Sequence, residues 1–179
     1  MSKFIAISAT IAAVALVGGT YAITKLKTPT MAQCGATAVA GEVIGGPLEL
    51  IDKTGKTVTD TDFVTEPTLI YFGYTFCPDV CPLDMARNAA AVDILAERGV
   101  DATPVFITID PARDTPEIVG EYADNFHEKM IGLTGSAAQV DAASKTYRTL
   151  YSKQGDEFFR QVDSPEEVAD RVACFAAAS

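Results

Sequence analysis

The sequence predicts an α/β domain, with a central sheet flanked by helices, preceded by an N-terminal transmembrane helix. Short β-prone runs alternate with helical patterns along most of the chain. Two of these runs are continuously apolar, which is typical of strands buried on both faces of a sheet. A third observation is the uncharged run Phe4–Ile23, which is long enough to cross a bilayer. At 179 residues, the chain has room for one domain and a short extension.

The chain is accordingly divided into a membrane anchor at residues 1–25, a tether at 26–41 and an α/β domain at 42–179. A cleaved signal peptide is the alternative to an anchor, but its apolar region is normally only about 7–15 residues long. Lys3 before the apolar run nearly balances Lys25 and Lys27 after it, so the positive-inside rule barely decides the orientation.

Composition excludes several classes of function. The formal net charge of −10 argues against a nucleic-acid-binding protein, which needs a basic face to neutralise phosphates. Four cysteines and one histidine are too few for a disulfide-dense scaffold, and they do not have the pattern of a structural zinc site. A domain with 48% apolar residues does not need disulfides to form its core.

The first predicted elements lead to a pair of cysteines. Residues 48–58 form two short extended runs around the turn Asp52–Gly55, which predicts a hairpin. Thr68–Tyr74 is continuously apolar and β-prone, as a buried central strand is. Pro82 fits the first position of the next helix, where a missing N–H has no cost, and Gly99 ends that helix.

The second half continues the alternation. Thr103–Ile109 predicts another buried strand, and the pair Thr115–Pro116 predicts the cap and first residue of a helix. Glu157–Val162 is expected to be a strand. Two further helices are predicted by capping-box spacing, at Ser136 with Gln139 and at Ser164 with Glu167.

The candidate site is the segment Gly73–Pro82, which contains Cys77 and Cys81. It joins a buried strand to a helix start, where partial positive charge and unpaired N–H groups favour thiolate over thiol. Three intervening residues let both sulfurs converge, either as a disulfide or as two ligands of one ion. Two soft sulfurs select Cu(I), and an added imidazole would also suit Cu(II). A structural disulfide, or two buried thiols without a function, is the alternative interpretation.

Gly73–Pro82 resembles the signature of the Sco/SenC family, and the resemblance extends to Phe106–Glu117 and Gly132–Gly135 in the same order. It implies a thioredoxin-like fold and copper bound by Cys77 and Cys81, as Cu(I) more than Cu(II). It also implies a role in cytochrome c oxidase assembly, with the copper-site subunit of the oxidase as partner. The domain would be tethered to the membrane outside the cytoplasm, on the bacterial periplasmic face or in an equivalent compartment.

One part of the family pattern is missing. Members use a third copper ligand, a histidine in an Asp-His motif on a strand after the helix that corresponds to Ser136–Tyr151. Here the chain passes from Tyr151 through 152–156 directly into Glu157 without that motif. The only histidine, His127, precedes Gly132, and a surface position near a helix end is favoured over a replacement-ligand role.

Two other features have alternative explanations. Asp110, Arg113 and Asp114 follow the second buried strand, at the sheet edge that bears the cysteines. They either shape a partner surface and polarise the thiols, or form only a local ion pair and helix cap. Cys174 either forms a disulfide with Cys34 or is a buried core residue.

Three functions are therefore considered. The leading hypothesis is a copper-handling assembly factor that presents Cu(I) on Cys77 and Cys81 to cytochrome c oxidase. The alternative is a membrane-anchored thiol–disulfide oxidoreductase in which the same two thiols act on partner cysteines. The third is a partner-binding module without metal chemistry.

Overall fold

The computed structural model of the chain describes residues 45–149 and 164–178. Within these ranges, five strands form one mixed sheet in the order β2-β1-β5-β4-β3. The three neighbours β3, β4 and β5 are parallel, whereas β1 pairs antiparallel with both β5 and β2. The strands are β1 (Glu49–Asp52), β2 (Thr57–Thr59), β3 (Thr68–Gly73), β4 (Thr103–Thr108) and β5 (Ile131–Thr134).

The helices begin where the sequence provides caps. The reciprocal capping box of Ser136 and Gln139 is present, and the Thr115 hydroxyl accepts a hydrogen bond from the Ile118 N–H. Gly99 adopts a positive φ of 75° just beyond the second helix, as the predicted stop requires. The helices are α1 (Asp60–Phe63), α2 (Val80–Glu97), α3 (Pro116–Asp124), α4 (Ala137–Thr146) and α5 (Pro165–Ala178).

Several predicted bounds differ from the observed ones. Helix α2 begins at Val80, so Pro82 is not its first residue. Proline is tolerated there because the N–H groups of the first turn have no intrahelical acceptor in any case. The strand β5 and the single-turn helix α1 were not predicted. The predicted strand Glu157–Val162 lies outside the described residues.

The predicted anchor and tether, at 1–25 and 26–41, also lie outside the described residues. Among the helices of the described part, none has the length and the apolar composition needed to cross a membrane.

The core lies on both faces of the sheet, because successive side chains of a strand point to opposite faces. In β4, Val105 and Ile107 pack on the face covered by α1 and α4, while Phe106 packs between α2 and α3. A third cluster joins α2 to α5 through residues that include Leu95 and Ala169. The expected α/β arrangement, a central sheet flanked by helices, is thus confirmed.

The parallel strands β3 and β4 place two loops at one edge of the sheet. Both strands run in the same direction, and the Ile109 N–H donates to the Gly73 carbonyl at 2.7 Å where they end. The cysteine segment after Gly73 therefore lies beside the charged segment that follows Ile109. This contact brings together two stretches that are distant in sequence.

We predict that Gly132→Ala destabilises the domain by about 1–3 kcal/mol. A Cβ on Gly132 would lie 2.4 Å from the carbonyl oxygen of Val119, a backbone atom that moves only if α3 shifts away from β5. Urea unfolding followed by circular dichroism measures the loss. Gly135→Ala is the matched control, since its Cβ would meet mainly the adjustable Gln139 side chain at 3.1–3.2 Å. Equal losses in the two variants would contradict this explanation.

Candidate functional site

Cys77 and Cys81 come together at the start of α2. Cys77 lies in the turn that follows β3, where its N–H donates to the Tyr74 carbonyl at 3.2 Å. Cys81 lies in the first turn of α2, and its backbone N–H donates to the Cys77 sulfur at 3.3 Å. Both are free thiols. They differ in accessibility, because Cys77 is half-buried whereas Cys81 is only 4% exposed.

The surroundings of the Cys77 thiol favour its ionised form. Burial opposes the charged form, but hydrogen bonds from the Cys81 thiol and from the N–H groups of Cys81, Asp79 and Val80 outweigh it and lower the pKa of Cys77. The N–H groups of the first helical turn, which have no intrahelical acceptor, thus favour the thiolate form of Cys77, as expected for a thiol between a strand and a helix start. The lowered pKa of Cys77 makes it the sulfur of the pair that ionises more readily.

The Cys81 thiol has the opposite character. Burial and the hydrogen bond to Cys77 raise its pKa to about 11, although a hydrogen bond from the Tyr71 hydroxyl acts in the other direction. Its sulfur lies close to β3, because Gly73 has no side chain. A Cβ there would be 2.7 Å from Cε1 of Tyr71 and 3.2 Å from the Cys81 sulfur. Glycine at this position thus makes room for both groups.

A buried ionic group lies one turn further along α2. Asp84 is buried, and its carboxylate pairs with Arg87 at 2.5 Å. Burial, and after it the neighbouring Cys81 and Asp84, raise the pKa of Tyr71 well above its ordinary value. Cys81 and Asp84 are three residues apart and therefore share a face of the helix. A charged group that lies inside the domain is thus next to the thiol pair along the helix.

The cysteine loop is held by Asp114, which is 1% exposed. Its carboxylate accepts from the Thr75 N–H at 3.0 Å, from the Thr75 hydroxyl at 2.6 Å and from the Thr108 hydroxyl at 2.5 Å. The Asp114 carbonyl accepts from the Thr134 hydroxyl at 2.8 Å. One residue therefore connects the cysteine loop with the ends of β4 and β5.

The other charged residues of that loop interact locally. Asp110 forms an ion pair with Arg113, and the Arg113 guanidinium lies 4.9 Å from the centroid of the Phe76 ring. Phe76 is 58% exposed and directly precedes Cys77. Leu83, in the first turn of α2, is also exposed. Both alternatives from the sequence thus have support: there is a local ion pair, and apolar side chains are exposed beside the thiols.

His127 lies away from the thiol pair. Its Nδ1 accepts from the Lys129 N–H at 3.0 Å and its Nε2 lies 3.2 Å from the Asp93 carboxylate. Asp93 is on α2, three turns beyond Cys81, which corresponds to about 18 Å along the helix axis. Both ring nitrogens are therefore engaged at a distance from the sulfurs.

The donor set of the site is two sulfurs. In residues 45–149 and 164–178, no group of three or more His, Cys, Asp or Glu side chains is arranged to hold a metal. A pair of convergent thiols suits a soft ion that accepts a low coordination number. Cys174 is disulfide-bonded rather than a free core thiol, and Cys34, its predicted partner, lies outside the described residues.

Sequence reasoning found the two cysteines but missed Tyr71 and Asp84, and it did not recognise the contact between Asp114 and Thr75. Two signals were available. Tyr71 precedes Gly73 by two residues and so shares its face of β3, and Asp84 follows Cys81 by one helical turn. No local signal existed for the contact between Thr75 and Asp114, which are 39 residues apart.

The comparisons with known proteins agree on one family. The SCO1/SenC family model matches residues 36–172. Protein SenC of Rhodobacter capsulatus is 48% identical over 200 aligned positions, which cover 97% of this chain and 90% of that protein. The alignment is longer than this chain, so the relative has residues without a counterpart here.

Solved structures show the same fold. Arabidopsis thaliana ScoI with copper bound superposes with a TM-score of 0.69 at 36% identity, covering 74% of this chain and 98% of that one. Yeast Sco1 with copper bound gives a TM-score of 0.56 at 38% identity, covering 60% and 70%. The thioredoxin-like α/β fold is thereby confirmed, and the chain belongs to the SCO1/SenC family.

Proposed function

We propose that this protein is a copper-binding assembly factor. It delivers copper to cytochrome c oxidase, or prepares the copper site of the oxidase, through Cys77 and Cys81. The observation that carries the proposal is the convergence of these two free thiols at the start of α2. It is supported by family membership and by the copper bound to the relatives from Arabidopsis and yeast.

Copper is the cargo in this proposal, and Cu(I) is the form that fits the residues. Thiolates are soft ligands, and Cu(I) accepts two of them without an imidazole. The lowered pKa of Cys77 favours the ligating form of that sulfur, and the helix start holds it in place. The chain's only imidazole is engaged with Asp93 and Lys129, which argues against firm binding of Cu(II).

The proposal also specifies a cellular location and a partner protein. The run Phe4–Ile23 would anchor the domain in a membrane, with the domain outside the cytoplasm and facing the copper-site subunit of the oxidase. The disulfide at Cys174 supports an oxidising compartment, because disulfides persist there and are rare in the cytosol.

A second candidate function is thiol–disulfide exchange, and the unequal thiols favour it. The Cys77 thiolate would attack a partner disulfide, form a mixed disulfide and release one partner thiolate. Cys81 would then attack the Cys77 sulfur and release the second partner thiolate. The products are a Cys77–Cys81 disulfide and a partner reduced by two electrons. The lowered pKa of Cys77 and the burial of Cys81 suit the attacking and resolving roles respectively.

We predict that the reduced chain binds one Cu(I) tightly. The measurement is an anaerobic titration in the presence of a competing Cu(I) chelator. Binding disappears in the Cys77→Ser/Cys81→Ser variant, because serine offers no soft ligand. His127→Ala is the matched control and keeps its affinity, since that ring lies about three helical turns from the sulfurs.

Copper retention no greater than that of the double-serine variant would overturn the copper function. Reduction of a model disulfide by the metal-free chain, abolished by Cys77→Ser, would then support the exchange function instead.

We also predict that Cys77 is alkylated by iodoacetamide much faster than Cys81. The rate at Cys77 should rise with pH as the thiolate forms, and its midpoint should lie below that of an ordinary cysteine because hydrogen bonds lower the pKa of Cys77. Cys81→Ala removes a donor to the Cys77 sulfur and should move this midpoint upward. Mass spectrometry of the modified peptides assigns each site. Faster alkylation of Cys81 would contradict the assignment of the two roles.

A further inference from the structure

The carboxylate of Asp114 is a fixed point beside the cysteine loop. Its Oδ1 accepts a hydrogen bond from the Thr75 hydroxyl at 2.6 Å, and its Oδ2 accepts from the Thr75 N–H at 3.0 Å and from the Thr108 hydroxyl at 2.5 Å. The backbone is held as well, because the Asp114 carbonyl accepts from the Thr134 hydroxyl. Both oxygens are engaged and only 1% of the residue is exposed, so the carboxylate is held in one orientation.

These hydrogen bonds restrain the chain next to the first sulfur. Thr75 lies two residues before Cys77, in the segment that joins β3 to α2, whereas Cys81 is part of the helix itself. The Cys81 N–H meets the Cys77 sulfur at 3.3 Å, and this approach requires the segment to stay in place. A restraint that orients two groups towards each other raises the effective concentration of one at the other.

We propose that Asp114 is a positioning residue for the thiol pair: its carboxylate, bonded twice to Thr75, holds Cys77 against Cys81 and so raises the effective concentration of one sulfur at the other. This role deepens the proposed function and rests on it, since a copper ion held by both sulfurs needs them close together. An internal disulfide needs the same proximity. The restraint itself is present without metal, because its hydrogen bonds join groups of the chain.

Thr75→Val tests the restraint with little damage to the fold. It replaces the hydroxyl by a methyl group of similar size, while the carboxylate keeps the backbone N–H at position 75 and the Thr108 hydroxyl as donors. Asp114 is a poorer position to vary, because its removal would leave buried donors without their acceptor. Thr75→Ser keeps the hydroxyl and should behave as the unmodified chain does.

Thr103→Val is the matched control. The Thr103 hydroxyl also donates to a carboxylate, that of Glu66, at 2.5 Å and in a half-buried setting. Thr103 is the first residue of β4, so it lies at the end of the strand opposite to the edge that bears the cysteines. This variant therefore removes the same kind of hydrogen bond from the same sheet, but not from the cysteine loop.

The experiment measures the Cys77–Cys81 disulfide in the whole chain, metal-free and in detergent, equilibrated with glutathione buffers. The thiol pair gives two electrons and two protons to one glutathione disulfide, which leaves as two glutathione molecules. Rapid alkylation and peptide mass spectrometry then give the oxidised fraction. In Thr75→Val, we expect the equilibrium constant for forming the internal disulfide to fall about 2- to 10-fold, the range of one hydrogen bond. We expect no such fall in Thr75→Ser or Thr103→Val.

Thermal unfolding of all four proteins is measured in parallel. An equilibrium constant of Thr75→Val that equals or exceeds that of the unmodified chain would overturn the proposal. An equal fall in Thr103→Val would also overturn it, because a general loss of stability would then be responsible. An equal fall in Thr75→Ser would do the same, because the hydroxyl would not be the cause. Failure of the copper proposal looks different: the unmodified chain would bind no Cu(I), while Thr75→Val would still form its disulfide less readily.

Discussion

The buried carboxylate of Asp114 determines where the cysteine loop lies. Three donors converge on it, two from Thr75 in that loop and one from Thr108 at the end of β4. A buried carboxylate is costly unless such donors satisfy it. The fold therefore cannot bury Asp114 without also bringing Thr75 to it. Cys77 follows two residues later, so the position of the thiols depends on this contact.

The sequence predicted the fold where local signals and burial agree. The continuous apolar runs at β3 and β4 and the cap at Thr115 were recognisable because each has a local physical cause. Strand β5 was missed because it is only four residues long and contains Gly132, a residue with low β-propensity. Its extended form depends on pairing with β4 and β1, which are distant in sequence.

The residues of the site also fall into two groups: those that a local sequence signal predicts and those that only tertiary contacts reveal. Cys77 and Cys81 were predictable because a single loop contains both, next to a strand and a helix start. Tyr71 appears in the sequence as one more aromatic residue of a buried strand, and only the packing at Gly73 shows that it meets a sulfur. The ends of β3 and β4 bring the Asp114 segment to the loop, and the tertiary structure alone shows that contact.

The unequal exposure of the two thiols has a consequence for oxidative damage. Cys77 is partly exposed, so a peroxide in solution can reach it. Cys81 is buried and is shielded from the same attack. The sulfenic acid formed at Cys77 then lies against the Cys81 thiol and condenses with it to a disulfide, with loss of water. That reaction competes with irreversible oxidation to the sulfinic acid. Cys81 thus keeps the oxidation of Cys77 reversible, since any thiol reductant that reaches the disulfide restores both thiols.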